Sequence, residues 1–161
     1  MDIRQQSEQW IEGASKWDRG VLVTINVWDY LSTNKDWKTI FRIQNKITQL
    51  RNTIEKRIFK DTKKHIEIFP VIETDTSSNH IHILSNTPQH MRRKHYIKDI
   101  ERSIEQTNGL TLAPDKLDKK GITLMRDDGA VGYVHKELEG RRHNNSYDNI
   151  DVENIYFRNV T

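Results

Sequence analysis

Residues 65–84 read HIEIFPVIETDTSSNHIHIL, and this stretch determines the predicted fold. Apolar and polar side chains alternate from His65 to Thr74, as they do in a strand whose two faces differ. The turn-forming residues 74–79 follow, and His80–Leu84 has the character of a second short strand. The stretch therefore predicts a β-hairpin within an antiparallel sheet.

Outside the hairpin, hydrophobic periodicity predicts helices and further strands. Apolar residues recur every three or four positions across 36–60, which indicates a helix with one apolar face. A second helix is expected over 88–106, and a short one over 130–139 that ends at Gly140. The residues before Asp18 form either a short helix or a strap. Further strands are expected at Val21–Trp28, Gly121–Met125 and 155–157.

The composition indicates one polar, globular domain over residues 1–161, since this length suits a single core. The 26 Lys and Arg exceed the 23 Asp and Glu by only three, so net charge alone does not indicate a nucleic-acid partner. No cysteine is present, which excludes disulfides, zinc fingers and cysteine nucleophiles and fits a reducing compartment. The opening residues lack a secretory signal, and no apolar run approaches a membrane span. We therefore expect a cytoplasmic location and no membrane partner.

The first chemical signal is the sequence His80-Ile81-His82. Residues i and i+2 of a strand share a face, so both imidazoles project from one side of the sheet. If residues 74–79 close the hairpin, Glu73 lies opposite His80 on that same face, within reach of an ion held by both histidines. Two imidazoles and a carboxylate leave coordination positions open and suit Mn or Mg. The same three residues could equally be ordinary polar positions of an alternating strand.

The second signal is Tyr133 with Lys136 on the short helix predicted over 130–139. The two side chains lie about 60° apart around that helix and nearly opposite its apolar stripe. A phenol has a pKa of about 10, and a nearby ammonium or a metal-bound phosphate favours its charged, attacking form. An exposed Tyr and Lys on an amphipathic helix is the alternative interpretation.

The densest basic cluster stands in the first turns of the helix predicted over 88–106. Such a cluster is typical either of a solvated helix face or of a surface that contacts nucleic-acid phosphates. We treat it as the candidate nucleic-acid-binding surface, which comprises Arg92, Arg93, Lys94 and Lys98.

Together these motifs resemble the HUH endonucleases, specifically their replication initiator (Rep) branch. VLVTINVWD from Val21 is similar to the first motif of that family, HIH at 80–82 to the second and YVHK at 133–136 to the third. Reps and single-tyrosine transposases place the histidines before the tyrosine, whereas conjugative relaxases reverse this order. Lys136 stands where transposases usually carry Gln, which favours a Rep.

The resemblance implies an α+β fold: a central antiparallel sheet of about five strands flanked by helices, with RRM-like, ferredoxin-related topology. It would occupy a core of about 20–140, followed by a polar tail at 141–161. It also implies a metal-dependent DNA endonuclease that nicks and joins single-stranded DNA, at an origin or a hairpin, through a 5′-phosphotyrosine intermediate. The catalytic residues would be Tyr133 and Lys136, with Mn or Mg held by Glu73, His80 and His82. Initiation of rolling-circle replication of a plasmid, phage or virus is the expected role.

Three other functions are compatible with the sequence. The domain could bind single-stranded nucleic acid without catalysis, with structural histidines. It could be a single-tyrosine transposase. It could also be a metal-dependent hydrolase of small phosphoesters, which would turn over substrate without a covalent DNA adduct.

Overall fold

The computed structural model describes residues 3–27, 37–73, 79–113, 121–125 and 150–158. Three α-helices, one 3-10 helix (Val152–Asn154) and five strands occupy these ranges. The helices are α1 (Ile3–Ser15), α2 (Trp37–Ile58) and α3 (Arg93–Gln106). The strands are β1 (Gly20–Val27), β2 (Glu67–Glu73), β3 (Asn79–Asn86), β4 (Leu110–Leu112) and β5 (Ile122–Leu124). None of the described helices is long and apolar enough to cross a membrane.

The five strands form one antiparallel sheet in the order β2-β3-β1, with β4 and β5 sharing the far side of β1. β4 pairs with the end of β1 and β5 with its beginning. The predicted hairpin is thus β2 and β3, and β3 is an interior strand. The fold is α+β, with a five-strand sheet flanked by helices, as the sequence predicts.

The first face of the sheet packs against α2 and α3. Alternate residues of each long strand point to this side, among them Ile25, Ile72 and Ile81, and all three are buried. Apolar residues from the stripe of α2 and from α3 complete this core, because both helices bury one side and expose the other. The buried residues that α2 and α3 contribute to this core are Ile43, Ile47, Leu50, Ile54, Tyr96, Ile100 and Ile104.

Among the described residues, α1 and residues 150–157 cover one end of the second face. Ile11 and Ala14 of α1 pack there against Phe69 and Leu84. The two segments outside the expected core of about 20–140 therefore both contribute to packing. Residues 150 and 156 also form single antiparallel bridges with Val71 and Ile68 at the free edge of β2.

Three local features differ from the sequence predictions: the start of α3, the unpredicted β4 and the extent of the strand expected at 155–157. The second predicted helix, α3, begins at Arg93 rather than Pro88, because residues 88–91 form a turn in which the Met91 amide donates to the Pro88 carbonyl. β4 was not predicted, and the strand expected at 155–157 is only the single bridge at Tyr156. The segment before Asp18 is a helix, α1. The predicted helix 130–139 lies outside the described residues.

Candidate functional site: a polar patch on the second sheet face

The other end of the second sheet face carries polar side chains from three neighbouring strands. β2 contributes Glu73, β3 contributes His80 and His82, and β1 contributes Thr24 and Asn26. Cross-strand partners in an antiparallel sheet point to the same side, and the register pairs Glu73 with His80, and Thr24 with His82. We call these five residues the polar patch.

Glu73 and His82 are in direct contact within the patch. Nε2 of His82 lies 2.8 Å from Oε2 of Glu73, a diagonal pair across the β2–β3 ladder. Nδ1 of His82 lies 3.3 Å from Oγ1 of Thr24 on the opposite neighbouring strand. The imidazole is only 4% exposed. Its orientation is therefore fixed from both sides, with Nε2–H as donor to the carboxylate and Nδ1 as acceptor for the hydroxyl when the ring is neutral.

The electrostatics of the patch keep Glu73 ionised. The hydrogen bond from His82 lowers the pKa of Glu73, and the charges of His82 and His80 act in the same direction, while burial opposes them. The hydrogen bond has the largest effect, so the pKa of Glu73 lies below its ordinary value. The patch thus holds an anionic oxygen beside two imidazoles at neutral pH.

The predicted metal ligands occupy neighbouring positions, but they do not form a ready cluster. His80 lies directly across from Glu73 in the register, as predicted from the hairpin, and is partly exposed. Within the described ranges no three His, Asp or Glu side chains converge closely enough to hold a metal ion. Ligands of one tetrahedral or octahedral ion with bonds of about 2.1 Å lie about 3.0–3.4 Å apart. The His82–Glu73 pair is therefore a few tenths of an ångström too close to share an ion without a small side-chain movement.

The other predicted site residues are not brought to this patch by the described structure. Tyr133 and Lys136 lie outside the described residues. Arg92, Arg93 and Lys94 stand where α3 begins, and Nη2 of Arg93 donates to the Asp18 carbonyl just before β1. That end of β1 is opposite the end that carries Asn26 and pairs with His80.

Lys98 follows Lys94 by one turn of α3, and Arg92, Lys94 and Lys98 are exposed while Arg93 is partly buried. The predicted nucleic-acid-binding cluster is therefore accessible. It lies towards the end of the sheet remote from the histidines.

A second polar cluster was not anticipated from the sequence. Asp151 is fully buried beside α2, and its Oδ2 accepts a 2.6 Å hydrogen bond from Nδ2 of Asn154. Asn154 also bonds Thr48 of α2, and Oδ1 of Asp151 has no hydrogen-bond partner among the described residues. Burial raises the pKa of Asp151 to about 6. The contact between Asn154 and Thr48 joins residues 106 positions apart, so the only sequence signal was a tail rich in Asn and Asp.

Comparisons of the chain with protein-family models, with curated proteins and with solved structures found no match.

Proposed function

We propose that this protein is a metal-dependent endonuclease that nicks and rejoins single-stranded DNA through a tyrosine. The observation that supports the proposal is the polar patch: an ionised Glu73 bonded to His82, with His80 directly across the ladder from that carboxylate. Two imidazoles and one carboxylate on a rigid sheet face are a donor set suited to Mn or Mg. Glu73, His80 and His82 would hold the metal, and the metal when bound would polarise the phosphoryl oxygens of the substrate.

The proposed reaction is transesterification at phosphorus by Tyr133. The phenol gives up its proton, its oxygen bonds to the scissile phosphate, and the bond from phosphorus to the 3′ oxygen breaks. The 3′ oxygen takes up a proton and leaves as a 3′-hydroxyl, while the 5′ phosphate stays on the tyrosine. Lys136, one helical turn away in sequence, would favour the phenolate. The reverse reaction rejoins strands without an external energy source, because the ester bond is conserved.

The test is formation of a covalent adduct with single-stranded oligonucleotides in the presence of Mn. The wild-type chain is incubated with a labelled oligonucleotide pool and resolved on a denaturing gel. We expect a shifted product that is lost in EDTA and in Tyr133→Phe. Mass spectrometry of the digested adduct should place the nucleotide on the peptide that contains Tyr133.

A histidine pair provides the matched control for the polar patch. His82→Ala removes the buried imidazole of the patch, whereas His95→Ala removes an exposed imidazole on α3, remote from it. We expect the adduct to vanish in the first variant and to persist in the second, with both variants folded by circular dichroism. Undiminished cutting in excess EDTA would exclude the patch from the mechanism.

A second candidate function is binding of single-stranded nucleic acid without cleavage. The observation that favours it is that both ring nitrogens of His82 already face protein partners, Glu73 on one side and Thr24 on the other. A buried histidine whose two ring nitrogens both have hydrogen-bond partners can have a purely structural role. Binding of oligonucleotides with no adduct under any metal would select this function over the nickase.

A further inference from the structure

A cleft of about 830 Å³ lies at the end of the sheet remote from the polar patch. We call it the sheet-end groove, and its lining residues fall within 13–19, 59–67, 86–90 and 156–158. Asn86 of β3 borders it, six residues along the strand from His80, which corresponds to about 20 Å at strand rise. The groove is thus a site separate from the polar patch. Its volume falls in the range of small-molecule sites, so it could hold a few nucleotides of a longer strand.

Aromatic rings form much of the wall of the groove. Trp17 and Phe157 stack with ring centroids 5.2 Å apart and planes inclined by 28°. Tyr156 lies against His65 at 5.3 Å, and Phe59 lines the groove at the end of α2. All five side chains keep some exposure to solvent. Although these rings also pack against the core and against one another, part of the surface of each remains open to the groove.

Glu67 fixes this wall in place. Its carboxylate accepts hydrogen bonds from Nε1 of Trp17 at 3.2 Å, from Nδ2 of Asn86 at 3.1 Å and from the backbone N–H of Arg158 at 3.2 Å. One side chain of β2 thus holds the indole, the end of β3 and the segment that carries Phe157. All three donors are neutral, so the carboxylate keeps its full negative charge, which the cations of the groove must outweigh for an anionic ligand to bind.

The groove carries an excess of positive charge at its rim. Five Lys and Arg residues line it against two carboxylates, those of Asp18 and Glu67. Lys63, Lys64 and Arg158 are exposed, while Arg19 is bound to the carbonyls of Pro88 and Met91. The whole chain has a net charge of only +3, so this imbalance is a local property of the groove. Exposed cations around aromatic rings are the arrangement with which proteins hold unpaired bases and their phosphates.

We propose that the sheet-end groove binds single-stranded nucleic acid, with bases against the aromatic wall and phosphates against Lys63, Lys64 and Arg158. Stacking requires bases that are not paired in a duplex, so the groove selects single strands. The binding is independent of cleavage at the polar patch and needs no metal. In a chain that also nicks DNA, the groove would hold the strand about 20 Å from the point of reaction.

The test uses the full chain and a fluorescein-labelled oligo-dT 15-mer in EDTA, with affinity measured by fluorescence anisotropy across a series of salt concentrations. Lys63→Ala/Lys64→Ala removes two exposed cations from the rim. Arg42→Ala/Arg102→Ala is the control, since it removes the same charge from exposed positions on α2 and α3 outside the groove. Phe59→Leu removes a ring while keeping an apolar side chain.

Loss of the two lysines should weaken binding about tenfold at 0.1 M salt and reduce the slope of log affinity against log salt by about 1.4, or 0.7 for each lost phosphate contact. Phe59→Leu should weaken binding at least fivefold with the salt slope unchanged, because stacking is not ionic. The control should bind like the wild type, and a blunt 15-bp duplex should bind more weakly than the single strand. Equal losses in the lysine pair and the arginine control would overturn the proposal. So would equal affinity for the single strand and for inorganic polyphosphate, because the groove would then bind charge alone.

Discussion

Replacing Asp151 by Asn should stabilise the protein at neutral pH and leave its stability unchanged in acid. Asp151 is fully buried, and burial raises its pKa from 3.8 to about 6 even though Asn154 donates a hydrogen bond to it. A pKa raised in the folded state means that folding favours the protonated carboxyl. The associated stability is fully present below pH 3.8 and is lost as the pH rises through about 6.

The magnitude follows from the two pKa values. At 1.36 kcal/mol for each pH unit, the interval from 3.8 to about 6 corresponds to about 3 kcal/mol at pH 7.5. Asparagine resembles the protonated carboxyl in shape and carries no charge, and its oxygen can still accept the bond from Asn154. We expect Asp151→Asn to gain about 2–3 kcal/mol at pH 7.5, or roughly 5–10 °C in Tm for a chain of this size.

The assay is thermal and urea unfolding of both proteins from pH 3.5 to pH 8. The informative quantity is the difference between the two curves, because the carboxylates that do not interact with Asp151 titrate equally in both; Glu153 is the carboxylate whose charge acts on Asp151. It should grow between about pH 4 and pH 6.5 and then stay constant. Glu105→Gln is the control, since it removes an exposed carboxylate of α3 that does not contribute to the pKa of Asp151 and should change stability by less than about 0.5 kcal/mol. A difference that is the same at pH 3.5 and pH 7.5, or an Asn variant less stable than the wild type at pH 7.5, would refute the reasoning.

Three further predictions concern the core, a turn and the proposed reaction. Tyr96→Phe should cost about 0.5–1.5 kcal/mol in urea unfolding, because the buried hydroxyl loses its 2.5 Å hydrogen bond to Ser85, and a cost near zero would contradict this. Gly109→Ala should cost about 1 kcal/mol in the same measurement, because Gly109 has a φ of 86° that a side chain disfavours, and a stabilised variant would be the contrary result. Lys136→Ala should slow adduct formation about 10²–10³-fold in a single-turnover assay without abolishing it, and an unchanged rate would remove Lys136 from the proposed role beside Tyr133.

The sequence predicted the parts of the fold that depend on local periodicity. The alternation of side chains along residues 65–84 predicted that Glu73 lies opposite His80 and points away from the core formed with α2 and α3. The observed register confirms both predictions. α2 was predicted to within two residues at each end, since its apolar stripe is long. β4 was missed because the three residues Leu110–Leu112 are too short to show alternation.

Contacts between distant segments could not be predicted. Nothing in the local pattern of residues 3–15 indicates that α1 covers one end of the second face, because an amphipathic helix does not specify its partner. The direct bond between His82 and Glu73 depends on side-chain rotamers, which the register limits but does not determine. The bonds from Glu67 to Trp17 and Arg158 span 50 and 91 residues, and no short motif encodes them.

The bridges at the free edge of β2 have a consequence for how the chain folds during synthesis. Val71 pairs with Ile150 and Ile68 with Tyr156, so the partners of β2 on that side are made about eighty residues later. At 5–20 residues per second, a ribosome needs about 4–16 s to supply them. During that interval the nascent hairpin presents unpaired N–H and C=O groups along one side, which is the state most prone to pair with another nascent chain. Chains that terminate before residue 150 would keep this edge permanently open, and premature termination should therefore yield aggregates rather than a smaller folded protein.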